Sequence, residues 1–162
     1  MKHNYLKHLF TALLLLCTTV VSAYDFEVDG FYYNILSEED KTVEITYKIL
    51  SRVEPSNSYT GCVVIPETVI YSETTYHVIS IGDDAFFNCP NLTDLTIPNS
   101  ITSIGIEAIA YCSGLTSIEI PNSVTNIGNS AFCGCSGLKN VTIGNGVTTI
   151  GHSAFYNCGF IN

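Results

Sequence analysis

The sequence predicts an α/β solenoid of 23-residue repeats, mainly β with short helical or 3₁₀ turns, behind an N-terminal antiparallel β cap. Three observations carry that expectation. Ile81-Gly82, Ile104-Gly105, Ile127-Gly128 and Ile150-Gly151 recur at one fixed interval, as do Ala85, Ala108, Ala131 and Ala154. Phe86, Ile109, Phe132 and Phe155 keep the same interval, and so do Cys89, Cys112, Cys135 and Cys158, followed by Leu92, Leu115 and Leu138. Such a period marks stacked units in which each residue type sits on its own kind in the next coil. The chain from Tyr24 to about Leu50 lacks the period and instead places β-rich runs around Asp29-Gly30, a strong hairpin signal.

Each element of a unit follows from its residues. Between Leu92 and Ile97, Leu92, Leu95 and Ile97 are apolar while Asp94 and Thr96 are polar, the alternation of a short strand with one buried face. Pro98 stops that strand, because it has no N–H for the next rung. Ile101 and Ile104 return apolar groups to the interior. Gly105 then marks a backbone conformation that a Cβ would strain. Glu107 to Tyr111 has room for about one turn of helix or 3₁₀-helix, with Ala108 and Ile109 facing inward and Cys112 closing the unit. No such coil buries its own apolar face, but parallel neighbours roughly 4.8 Å apart share one core.

Two of these units carry a resemblance. Ile97-Pro98-Asn99-Ser100-Ile101, Ile104-Gly105 and Ala108-Ile109-x-x-Cys112 are followed by Ile120-Pro121-Asn122-Ser123-Val124, Ile127-Gly128 and Ala131-Phe132-x-x-Cys135. The pattern closely resembles the BspA-like, or Treponema pallidum-type, leucine-rich repeat. The last strand departs from it, with Gly144 in the proline column and Gly146 in the serine column. The match runs from Gly61 onward with one interruption. The resemblance implies a leucine-rich-repeat solenoid on a secreted or surface protein used for adhesion and recognition, and it implies no catalytic residues.

In chain order, residues 1–23 read as a signal peptide. Lys2 and Lys7 form the basic start, Leu9 to Cys17 the apolar centre, and Val21-Ser22-Ala23 the small-residue cleavage site. The uncharged run from His8 to Tyr24 falls just short of the length that a membrane span needs. Leu16 stands where a lipoprotein cysteine at Cys17 would need a small residue; an uncleaved anchor is the other alternative. Residues 24–60 read as the cap and a linker. Phe26 to Leu36 forms a hairpin about Asp29-Gly30, Ser37 to Lys41 a polar turn, Thr42 to Lys48 a third strand, and Ser51 to Tyr59 the linker. Residues 61–162 read as about four repeat units. The interval from Pro66 to Pro98 is one repeat plus nine further positions, and that excess suits a protruding hairpin near 69–78. After Cys158 only Gly159-Phe160-Ile161-Asn162 follows, so the last coil is expected to stay partly open, or the chain to be a piece of a longer array.

Charge narrows the partners. Without Lys2 and Lys7, four Lys and Arg stand against fifteen Asp and Glu, a formal −11. That balance repels nucleic acid and anionic membrane surfaces.

Several residues invite chemistry. Seven cysteines in an exported chain suggest disulfides, but four of them share one interior column whose Cβ vectors run parallel, which favours buried thiols. Cys62 and Cys133 lie off that column and are the candidates for exposure. Cys133-Gly134-Cys135 is half of a metal motif at most, with only His152 nearby, so no metal or cofactor is expected. His77 and His152 have no spacing that would pair them with a nucleophile. Asn91-Leu92-Thr93 and Asn140-Val141-Thr142 match the N-glycosylation triplet, a common chance match. The best candidate surface is the outward face of the strands, with Asp94, Thr96, Ser117, Glu119, Asn140 and Thr142, preceded by Cys62 and Val64 and flanked by Thr93, Thr116 and Lys139. Interface hot spots favour Trp, Tyr and Arg, and this face has none, so a plain solvated sheet is the competing reading. Tyr71 and Tyr76 on the hairpin, and Tyr111 and Tyr156 opposite, are aromatic alternatives. The sequence thus points to an exported, non-enzymatic protein that binds a host, cell-surface or matrix protein. A spacer or fragment assembling end to end through its C-terminal coil is the alternative. A hydrolase-associated domain comes last, because no titratable cluster supports it.

Overall fold

The computed structural model describes residues 23–48 and 59–159. The expected signal peptide up to Ser22, with Cys17, most of the linker, and the chain from Phe160 lie outside the described residues. Among the described residues the strands are β1 (Phe26–Val28), β2 (Phe31–Ser37), β3 (Thr42–Thr46), β4 (Gly61–Val64), β5 (Thr68–Tyr71), β6 (Thr74–Ile81), β7 (Leu92–Thr96), β8 (Ser103–Ile104), β9 (Ser117–Ile120), β10 (Asn126–Ile127), β11 (Asn140–Ile143) and β12 (Thr149–Ile150).

The first three strands form an antiparallel meander. Asp29 and Gly30 both take positive φ, 51° and 79°, the two-residue turn whose twist matches its flanking strands. β3 then pairs in parallel with β6, and β8, β10 and β12 follow in parallel, so meander and repeats share one sheet. The register is strict: Ile81 pairs with Ile104, Ile104 with Ile127, and Ile127 with Ile150. A second side of the solenoid carries the longer strands, β4 beside β7 and β9 beside β11. The short strands β8, β10 and β12 were not foreseen in the sequence, where Ile101 and Ile104 marked only a return to the interior.

The core runs through the whole stack. Ile81, Ile104, Ile127, Phe86, Ile109, Phe132, Leu92, Leu115 and Leu138 are fully buried, and Phe26, Tyr33, Val43 and Ile45 of the meander join the same cluster. Tyr59 bridges the two parts, its ring 5.5 Å from Phe31 and 4.8 Å from Phe86. In the last coil the same columns open: Ile150 is 50% exposed, and Val147 and Phe155 are half-buried.

Three expectations need correction. The segment Glu107 to Tyr111 and its equivalents form hydrogen-bonded turns, and no helix occurs among the described residues. The reason is that alternate amides turn to the next coil. Glu107, Ile109 and Tyr111 N–H donate to the Asn129, Ala131 and Cys133 carbonyls at 3.0, 2.8 and 2.7 Å, and only Ala110 N–H closes a local turn onto Glu107, at 3.1 Å. That zigzag needs left-handed residues twice per coil. Asp84, Glu107, Ser130 and Ser153 fill one column, and Asn88, Tyr111, Gly134 and Asn157 the other. Such a φ pattern excludes a helix.

Gly105 is the second correction, since its backbone is not left-handed. It is glycine because the preceding coil lies against it: a Cβ at Gly105 would sit 2.7 Å from Gly82 C and Asp83 N, and one at Gly128 would sit 2.5 Å from Gly105 C and O. The third concerns the inserted hairpin, β5 and β6 around Ser72 and Glu73 at φ 47° and 64°. It folds back instead of protruding. Val69 and Tyr76 are buried, and Tyr71 stacks on Phe26 at 4.2 Å with the rings 3° from parallel.

Backbone atoms of a stacked coil cannot step aside for a methyl group. Gly128→Ala is therefore expected to cost about 2–3 kcal/mol or to prevent folding, with the spectral signature of the β sheet otherwise kept. Denaturant unfolding followed by circular dichroism measures it, and a loss below about 0.5 kcal/mol would contradict the contact account.

Candidate functional site

The long strands build the candidate face by alternation. On β7, Leu95 turns inward and Asp94 and Thr96 outward; on β9, Ile118 and Ile120 turn inward and Ser117 and Glu119 outward; on β11, Asn140 and Thr142 are exposed beside half-buried Val141. Pairing sets them side by side across coils: Asn140 next to Ser117, Thr142 next to Glu119, Cys62 next to Asp94, and Val64 next to Thr96. Val64 is 66% exposed, an apolar side chain in an otherwise polar array.

The face is not continuous. β4–β7 and β9–β11 are separate two-stranded sheets, so no ladder joins β7 to β9. A cleft of about 390 Å³ opens there, lined by Asp94, Leu95, Thr96, Ile97, Asn99, Ser117, Ile118, Glu119 and Pro121. The six candidate residues are therefore divided. Asp94, Thr96, Ser117 and Glu119 meet at the cleft, while Asn140 and Thr142 lie one coil beyond it.

A second polar cleft, about 430 Å³, lies over the other sheet between the meander and the first coils. Asn34, Glu44, Ser80, Asp83, Ser103 and Asn126 line it. Asn34 Nδ2 donates to Glu44 Oε1 at 3.1 Å, and the Ser80 and Ser103 hydroxyls are 2.9 Å apart. Burial pushes the Glu44 carboxyl above the usual carboxylate range, the Asn34 hydrogen bond opposes this, and the charge of Asp83 adds to it. Nothing in the sequence signalled this cleft, because Glu44 and Asp83 meet only when β3 pairs with β6.

The remaining candidates separate by environment. The two hairpin aromatics differ: Tyr71 stacks on Phe26 but stays 39% exposed, whereas Tyr76 is buried with its hydroxyl donating to Glu38 Oε2 at 2.9 Å. Tyr111 and Tyr156 are exposed on the turn side. His77 and His152 are exposed. No group of three or more His, Cys, Asp or Glu is placed to hold a metal ion among the described residues.

The cysteine column consists of thiols, not disulfides. Three of them donate to a carbonyl of the coil before: Cys112 Sγ to Phe86 O at 3.1 Å, Cys135 to Ile109 O at 3.0 Å, and Cys158 to Phe132 O at 3.2 Å. Hydrogen bonding to the neighbouring thiols Cys135 and Cys89, then burial, holds Cys112 far above the usual thiol range. Burial pushes Cys158 up to about 11. Cys62 is exposed and Cys133 half-exposed.

Two measurements follow from these environments. In native protein at mildly alkaline pH, a thiol-specific chromogenic reagent is expected to modify Cys62 first and Cys133 next, whereas Cys89, Cys112 and Cys135 react only after unfolding. Rapid modification of Cys112 in folded protein would contradict the packing. For Glu44, a folded-state pKa above the unfolded one means tighter proton binding when folded. Its favourable contribution is therefore complete below the ordinary carboxylate pKa and is lost as pH rises through the raised value. Glu44→Gln is expected to melt higher than the native protein at pH 7 and equally at pH 4; the reverse pH order in thermal melts would reject this.

A family profile for the BspA type leucine rich repeat region matches residues 55–162 in six copies, more than the four Ile-Gly pairs of the sequence. A leucine-rich repeat protein from Bacteroides ovatus is similar at 36% identity and TM-score 0.71, covering 85% of this chain and 34% of its own. This chain thus spans about a third of that relative's length. One from Bacteroides capillosus is 28% identical with TM-score 0.69, covering 85% and 94% of the two chains. The pneumococcal vaccine antigen PcpA, 16% identical over 82% of this chain and 42% of its own with TM-score 0.59, shares the fold. No curated protein matches the chain. No helix of the described residues is long and apolar enough to cross a membrane. With two-thirds of its length matched by one family profile, this chain belongs to the BspA-type leucine-rich repeat family.

Proposed function

We propose that the chain is an exported, non-enzymatic recognition protein that binds a host, cell-surface or matrix protein through the face of β4, β7, β9 and β11. One observation carries this reading: four successive coils present Cys62, Val64, Asp94, Thr96, Ser117, Glu119, Asn140 and Thr142 outward on one side. A surface of this kind makes many shallow contacts on a scaffold that loses little conformational entropy on binding. Export is supported by the basic, apolar and small-residue order of residues 1–23 and by the formal −11 that remains after them, and family membership agrees. The antiparallel meander is proposed as the cap of residues 24–60, since it supplies Phe26, Tyr33, Val43 and Ile45 to the end of the repeat core.

A second reading rests on the last coil. Ile143 and Ile150 are 40% and 50% exposed where their equivalents one coil earlier are buried, so another coil, of this or another chain, can stack there. That makes the chain a spacer in an end-to-end assembly.

Binding to immobilised extracellular-matrix proteins, with mass in solution on the same sample, separates the two. The recognition reading expects a monomer whose saturable binding drops at least about tenfold in the double variant Thr96→Arg/Thr142→Arg and is unchanged in Tyr156→Ser. Binding lost in Tyr156→Ser but kept in the double variant would move the site to the turn side. Concentration-dependent oligomers that Ile150→Lys dissolves, without matrix binding, would replace recognition by assembly.

A further inference from the structure

The sheet of β2, β3, β6, β8 and β10 carries a polar row that its own pairing fixes rung by rung. Asn34 faces Glu44, Glu44 faces Ser80, Ser80 faces Ser103 and Ser103 faces Asn126, each as a direct cross-strand partner. The row owes its continuity to a bulge. Val43 pairs with Val78 but Glu44 with Ser80, so Ile79 is passed over and Ser80 comes to lie opposite Glu44. Neighbouring members therefore stand one strand spacing apart, roughly 4.8 Å. Asn34, Glu44, Ser80 and Ser103 are half-buried and Asn126 is exposed, and all five line the cleft of about 430 Å³ over this sheet.

The groups in this cleft are held in place. Asn34 Nδ2 donates to Glu44 Oε1 at 3.1 Å, and the same carboxyl lies over Gly82, where a Cβ would sit 2.8 Å from Glu44 Cδ. Burial keeps that carboxyl above its ordinary range, as it does for a group drawn from water that one donor does not satisfy. The Ser80 and Ser103 hydroxyls, 2.9 Å apart, share one hydrogen bond and keep both donor and acceptor capacity beyond it. The described lining holds no Lys, Arg or His, and one aromatic residue, Tyr47. An anionic ligand thus meets no counter-charge. A protein partner is disfavoured as well, because interface cores are depleted in Ser, Asp and Glu.

We propose that this cleft binds a neutral, extended β-linked oligosaccharide lying across the strands. A sugar hydroxyl donates and accepts at once, which matches a row of two amides, two hydroxyls and a carboxyl group. An extended chain of β-linked pyranose rings advances by nearly one strand spacing per ring, so successive rings meet successive members of the row. Small-ligand sites of roughly 300–1,000 Å³ are mostly apolar with a few polar groups. Here polar groups run the length of the lining, which suits a polyhydroxyl ligand, and Tyr47 offers an aromatic wall to the C–H face of a ring. An amine would use Glu44 and Asp83 but leave Asn34, both serines and Asn126 without a role. This sheet is separate from the β4–β7 and β9–β11 ladders, so the site stands or falls independently of the protein-binding face.

The test uses the full chain after expression and processing, labelled with ¹⁵N. Its probes are cellotetraose and tetra-N-acetylchitotetraose, both neutral, with the cationic chitosan tetramer and the anionic β-1,4-tetraglucuronate. Saturable shifts are expected for backbone amides at 44–47, 80–83 and 103–105, with at least one neutral probe about tenfold tighter than either charged one. Asn126→Ala, at an exposed position, and Ser103→Ala should each weaken neutral binding about fivefold while the rest of the amide spectrum is kept. Thr96→Arg/Thr142→Arg should leave it unchanged. Tighter binding of the cationic tetramer, abolished by Asp83→Asn, would put an amine in place of the glycan and overturn the proposal. Neutral binding that both alanine variants leave intact would overturn it too, as would no saturable shift from either neutral probe up to about 10 mM. Glycan binding without matrix-protein binding leaves this site standing while the strand-face reading falls. The reverse outcome keeps that face and removes this site.

Discussion

Each coil must lie on the next at the distance of a β ladder, and that spacing governs everything else in the molecule. Backbone bonds impose it from two sides. Strands pair with their equivalents one repeat away, and on the turn side alternate amides reach into the following coil. At that distance a single Cβ pointing along the stack meets main-chain atoms, which is why Gly105, Gly128 and Gly151 recur where they do. It also explains why the turns are not helices: a helix directs its amides along its own axis, and these amides are needed between coils.

Polar groups obey the same rule as the core. Thr102, Thr125 and Thr148 each donate a hydroxyl to a carbonyl one repeat earlier, at 3.0–3.2 Å. Asp83, Asn122 and Asn129 each accept the amide of the equivalent residue one repeat later, at 2.6–2.8 Å. The cysteine column belongs to this set. Its thiols satisfy turn carbonyls that the zigzag leaves pointing inward, so a chain read as exported carries many cysteines here without pairing them.

The first and last described coils are covered differently. At the first coil, aromatic residues dominate: Tyr59 lies between Phe31 and Phe86, and Phe26 is sandwiched by Tyr33 and Tyr71. The inserted hairpin supplies part of that cover, which accounts for its departure from the repeat length. At the last coil, Phe155 stacks on Phe132 at 5.0 Å, but its outer side has no following ring among the described residues.

What the sequence determined by itself was whatever repeats, because a fixed period constrains stacking before any coordinate is known. The buried columns, the parallel strands and the outward positions of Asp94, Thr96, Ser117, Glu119, Asn140 and Thr142 all follow from period and alternation. The Asp29-Gly30 turn was equally legible, since few residues tolerate positive φ in succession. Three things were decided only by the tertiary structure. The fate of the turn amides depends on a neighbour that a single unit does not contain. The packing of Tyr71 and Tyr76 depends on where β1 lies. The clefts that bring Glu44 to Asp83, and Asp94 toward Glu119, depend on which strands pair and which do not. Local pattern sets which way a side chain faces, and only the assembled coils set what it faces.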